Sequence, residues 1–149
     1  MAFFVGVAMA LAVGVFTTLA GFNRDRSLYP VVTIVIASYY GLFAVMGDGV
    51  ALGSEVAAAA VFVAAAVIGH RTTLWVVVVA LVGHGLLDLV HERLIADPGV
   101  PEWWPMFCVS YDVTAGAYLG LLILSKRVDA SAKRETQQPS PTVMSWSEQ

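Results

Sequence analysis

Long apolar runs broken by short polar segments set the plan of this chain. The first run, Met1 to Phe22, carries no charged residue and is followed by NRDR. A helix needs about 20 apolar residues to cross a bilayer, and this run supplies them. The second run, Ser27 to Gly47, opens with Tyr29 and Pro30, which suit a membrane interface and a first helical turn. After GDGVALGSE, the run Val56 to Gly69 would reach only about 21 Å as a helix. That falls short of a hydrocarbon thickness of about 30 Å unless the span begins near Ala51 and takes in Glu55 close to one interface. A tilted or partly re-entrant segment is the alternative. HRTT then turns the chain, with Thr72 or Thr73 placed to cap a fourth helix that runs to about His91. DPGVPE disfavours helix through Pro98, Gly99 and Pro101. Trp103 and Trp104 make an interfacial pair, and Pro105 fits the first turn of a fifth helix reaching about Ser125.

These runs predict an all-α fold, a polytopic membrane helix bundle with five transmembrane helices. The spans fall at about 2–22, 28–47, 51–69, 72–91 and 104–125, within one transmembrane domain over 1–127. From Lys126 the composition shifts to Lys, Arg, Ser, Gln and Pro, so 128–149 reads as a disordered tail. No internal repeat is evident. A cleaved signal peptide would place Lys or Arg before the first apolar run. MAFFVGVAMA has neither, so the run is expected to persist as an uncleaved helix. Gly6, Ala10 and Gly14 recur every four residues, and Gly116 and Gly120 form a GxxxG pair. Such stripes let helices approach closely, within the chain or in a homo-oligomer.

Composition agrees. The 149 residues are 58% hydrophobic and 13% charged, about half the charged share of an ordinary soluble domain. The expected solvent is the lipid bilayer, and the expected location a bacterial inner (plasma) membrane, multi-pass. No room is left for a separate soluble domain of ordinary size. The net charge of −3 and the lack of a basic stripe argue against nucleic acid. Walker A, GxGxxG and GxSxG motifs are absent, which removes nucleotide binding and serine hydrolysis. The single cysteine, Cys108, excludes an intrachain disulfide.

Charge also predicts sidedness. With five spans, the N-terminus and the loops after spans two and four share one side, which holds only Arg93. The other side holds Arg24, Arg26, Arg71, Lys126, Arg127, Lys133 and Arg134. The positive-inside rule then puts the N-terminus outside and the tail in the cytoplasm.

The candidate chemistry gathers near the expected outer surface. GHGLLDLVHE carries His84, Asp88 and His91, and WWPMFCVSYD carries Cys108 and Asp112. Positions i, i+4 and i+7 lie within about 60° on a helix, so the first three are expected on one face. Helices joined by a short loop are usually antiparallel neighbours, which would turn that face toward Cys108 and Asp112. Ionisable groups at membrane depth are costly and are functional by default. Three roles are open. A hydrogen-bonded network could fix two helices in register. A metal site could use imidazole and carboxylate, which suit zinc, iron or manganese, with zinc favoured if Cys108 joins. The preferred ligands are His84, Asp88 and Asp112, with His91 next and Cys108 last. Two histidines and a carboxylate with an open position would activate water, as in a metal-dependent membrane hydrolase. The HExxH motif is absent, because Arg93, Leu94 and Ile95 follow His91-Glu92. The third role is proton or cation handling, for which the inner half shows no polar run. Ser38, Tyr39 and Tyr40 lie mid-span, where their hydroxyls would bond a neighbouring helix or reach the site.

HGLLDLVH followed by FCVSYD resembles small uncharacterised bacterial membrane proteins with a His-x3-Asp-x2-His run and a later Cys-x3-Asp. That resemblance implies no particular activity. Seven-helix hydrolases of the ceramidase and progestin-receptor type also use intramembrane His and Asp. This chain is two helices short of them and lacks their His-x3-His, so it is not assigned there.

Overall fold

The computed structural model describes residues 1–131. Among them the chain is all-helical apart from one isolated bridge between Thr73 and Ser131. The helices are α1 (Ala2–Ala20), α2 (Leu28–Met46), α3 (Leu52–Arg71), α4 (Leu74–Asp88), α5 (His91–Leu94) and α6 (Trp104–Leu124). A single 3-10 turn, Phe22–Arg24, links α1 to α2. Four of these helices, α1, α2, α3 and α6, are long and apolar enough to cross a membrane. Phe4, Phe16, Leu19, Val61 and Leu124 stand exposed along them. So much exposed apolar surface is foreign to a soluble monomer and fits a lipid surround.

One boundary agrees with expectation and one differs. The third span does begin near Ala51 and is full length, with Glu55 in its first turn. The fourth is the short one. A single helix over 72–91 was expected, but α4 stops at Asp88 after 15 residues, the chain turns at Leu89 and Val90, and α5 follows. At 1.5 Å per residue α4 is about 22 Å long. Nothing local in Leu87–Glu92 breaks a helix. The turn is held from outside, because His91 beyond it is buried against Glu55 of α3. At the other end Thr73 caps α4 as expected, its hydroxyl accepting from Trp75 N at 3.4 Å.

Small residues decide the packing. α1 lies parallel to α6, with Gly6 against Phe107 and Ser110 and Gly14 against Tyr118. A Cβ at Gly6 would overlap Ser110 Oγ and the Phe107 carbonyl, so the two backbones approach as glycine allows. Thr18 and Tyr118 join the pair by a 2.9 Å hydroxyl bond. α4 runs antiparallel to α6: Gly85 meets Val109 and Asp112, while Gly116 meets Val78 and Val82. The stripes at Gly6/Gly14 and Gly116/Gly120 are therefore covered by the chain's own helices. The neighbour order is α1, α6, α4, α3, α2. The arc closes at one end, where Ala10, Tyr29, Leu74, Val77, Leu119 and Leu122 belong to one buried apolar cluster.

That same end is tied by polar bonds. Arg26 donates to the carbonyls of His70 (3.1 Å) and Asp129. This satisfies part of the C-terminus of α3, whose last carbonyls lack helical partners. Val128 is buried, and Leu74 N donates to Ala130 O at 2.8 Å. The tail expected to be disordered from 128 thus begins with a docked segment, 128–131. Its remainder, 132–149, lies outside the described residues.

Candidate metal centre

At the opposite end, α2, α3, α4 and α6 each contribute a polar side chain to an apolar interior. His84 sits in the last turns of α4 and Asp112 in the third turn of α6, and the two helices touch through Gly85. His84 Nδ1 lies 2.7 Å from Asp112 Oδ2 and 3.5 Å from Asp88 Oδ2. Tyr40, from α2, donates its hydroxyl to Asp88 Oδ1 at 2.7 Å. Phe62 of α3 sets its ring edge-on to His84, with centroids 4.8 Å apart. Asp112 is 0% exposed, and His84 and Asp88 are each 3%.

A second pair adjoins the first. His91 Nε2 is 2.8 Å from Glu55 Oε1, and both residues are buried. The Tyr40 ring lies against His91 at 4.1 Å between centroids and 6.0 Å from His84. Tyr40 therefore touches both pairs, by its hydroxyl on one side and its ring on the other. A polar vestibule of about 140 Å³ reaches His91, with Glu92, Asp97 and Glu102 among its walls.

One atom from each of His84, Asp88 and Asp112 lies within 4.8 Å of the others, so the trio could hold a metal ion. The donor set fits one. Asp88 Oδ2 and Asp112 Oδ1 are buried and make no hydrogen bond, and a buried carboxylate oxygen without one is costly. Zinc ligands at about 2.0–2.2 Å in a tetrahedron stand about 3.4 Å apart, close to the 3.5 Å from His84 Nδ1 to Asp88 Oδ2. The 2.7 Å contact to Asp112 is a hydrogen-bond length, so a metal there would replace the shared proton.

Of the five residues singled out in the sequence, three converge and two do not. His91 was expected on the face of His84 and Asp88, but the turn at Leu89–Val90 sends it to Glu55. Cys108 is buried one turn before Asp112 on α6 and stands outside the trio. Glu55 was seen only as an interfacial acid. The signal that would have found it is burial, since an acid one turn into an apolar helix needs a partner. Tyr40 was a possible contact without a partner, and its partner is Asp88.

In comparisons with family models, curated proteins and solved structures, no match to this chain is found.

Proposed function

We propose that this chain is a metal-dependent hydrolase of a bacterial inner membrane that holds zinc at His84, Asp88 and Asp112. One observation carries the reading. Three carboxylates (Glu55, Asp88 and Asp112) are buried with two imidazoles, and two of the carboxylate oxygens accept no hydrogen bond. If all three carboxylates are ionised, the group stays negative even with both imidazoles protonated, and burial opposes an uncompensated charge. No lysine or arginine pairs with these carboxylates among the described residues. A divalent cation at the trio would let the carboxylates stay ionised there.

Three protein ligands are the count of catalytic zinc, which keeps a fourth position open, rather than of closed structural sites. A bound zinc supplies Lewis acidity and a more acidic water. The chain's own groups do the rest. Tyr40 holds Asp88 in place through the 2.7 Å bond. The His91–Glu55 pair, beside Tyr40, is suited to take a proton and pass it to the vestibule.

The membrane placement that goes with this reading has five crossings, N-terminus outside and tail in the cytoplasm. The charge asymmetry supports it: Arg93 stands against seven basic residues on the other side. The short α4 is compatible with a crossing because non-helical backbone at membrane depth is tolerated where protein buries it. His91, just past the break, is buried.

A second reading, cation or proton handling without turnover, is favoured by the acidic vestibule over His91. The buried apolar cluster at the far end makes that route a dead end, suited to binding more than to passage.

Metal analysis of the purified protein tests the proposal. Stoichiometric zinc is expected in the wild type, lost in His84→Ala and Asp112→Asn and kept in Glu92→Gln. A wild-type protein that stays metal-free when expressed and purified with zinc would refute the centre. Metal retained equally in all three variants would refute the ligand assignment.

A further inference from the structure

The arc of helices leaves α1 and α2 apart at the end that carries the polar centre. Between them lies an apolar cleft of about 760 Å³, floored by α6. Val5 and Met9 of α1, Val35 and Tyr39 of α2, and Cys108 and Tyr111 of α6 line it. All three walls are helices long and apolar enough to cross a membrane. Trp103 and Trp104 close its end, at the level where aromatic side chains mark the boundary between hydrocarbon and headgroups.

The cleft and the centre share two walls. On α2, neighbouring tyrosines serve different sides: Tyr39 lines the cleft and Tyr40 bonds Asp88. On α6, Tyr111 lines the cleft while Asp112 faces His84. Cys108 belongs to both sides, since it lines the cleft and sits one turn from Asp112 on the same helix face.

An apolar space walled by membrane helices has one available solvent, the hydrocarbon chains around it. Its volume is within the range of about 300–1,000 Å³ typical of ligand sites. We infer that the cleft between α1 and α2 takes an acyl chain of a bilayer lipid. Its polar end lies at Trp103 and Trp104, which brings an amphiphile alongside the His84–Asp88–Asp112 centre. As an assignment of substrate class it rests on the metal-centre reading; as a lipid site it stands alone.

A photoactivatable phosphatidylglycerol with a diazirine on its acyl chain, in phosphatidylethanolamine vesicles containing the full chain, is the probe. Peptide mapping after illumination should show adducts on Val5, Met9 or Val35 several-fold above those on Val61 and Val79. Those two are exposed on α3 and α4 and do not line the cleft. Val35→Trp, which fills the cleft, should remove most of that excess and leave bound zinc unchanged. Met9→Trp serves the same purpose if the first variant does not fold. Cleft labelling no higher than at Val61 and Val79, or undiminished by either filling variant, overturns the inference. Zinc measured on the same samples separates the two ideas. Cleft labelling without zinc supports the lipid site and removes the metal centre, and zinc without the labelling excess does the reverse.

Discussion

At the scale of single residues, the decisive fact is how few partners the buried carboxylates have. Asp88 uses one oxygen on Tyr40, and the other, 3.5 Å from His84 Nδ1, accepts no hydrogen bond. Tyr40→Phe removes that hydroxyl and little else. Loss of one interhelical hydrogen bond in a membrane protein costs about 0.6–2 kcal/mol. A supporting contact to a metal ligand typically changes metal affinity about 10–100-fold. Tyr40→Phe should therefore weaken zinc binding by that factor while the protein stays folded, as a competitive chelator titration would report. Unchanged affinity would mean that Asp88 is not a ligand. The trio was legible in the sequence because an imidazole and a carboxylate four residues apart share a helix face. Glu55 and His91 were not legible as a pair, because their meeting depends on how α3 and α5 lie in space.

At the scale of elements, the α4–α6 contact sets the geometry of the centre, and two glycines in α4 separate packing from propensity. A Cβ at Gly85 would meet Val109 Cα at 3.3 Å and Asp112 Cβ at 3.2 Å. A Cβ at Gly83 would meet nothing within 4 Å. Gly85→Val should push α4 off α6, lower Tm and abolish zinc binding with every ligand intact. Gly83→Ala should keep zinc and, by reducing backbone freedom, stabilise by about 0.4–1 kcal/mol. Equal behaviour of the two variants in thermal melts and metal analysis would show that the contact does not matter. Helix existence was readable from the apolar runs, and the start of α3 near Ala51 followed from bilayer thickness. The end of α4 was not readable, because the residues around Leu89 continue a helical pattern and only long-range partners interrupt it.

At the scale of the whole molecule, one end is bound together by Arg26 and the docked segment 128–131, and the other holds the polar groups and the cleft. Reporter fusions should find a C-terminal tag in the cytoplasm and an N-terminal one outside. The reverse orientation would move the centre to the cytoplasmic leaflet and leave its chemistry unchanged. Antiparallel neighbours α4 and α6 could be anticipated from their short connection. The order of helices around the arc could not, because a small-residue stripe such as Gly6/Gly14 advertises close contact without naming its partner. Here the partner is α6, the most distant in sequence of the described helices.

That pairing has a cost during synthesis. The glycine face of α1 is made before α2, α3 and α4, and the surface that covers it, Phe107 to Tyr118, only after them. At about 5–20 residues per second, α1 waits several seconds in lipid before its seat exists. A nascent chain stalled before Trp104 would present that face to whatever helix drifts past, including one from a neighbouring ribosome's product.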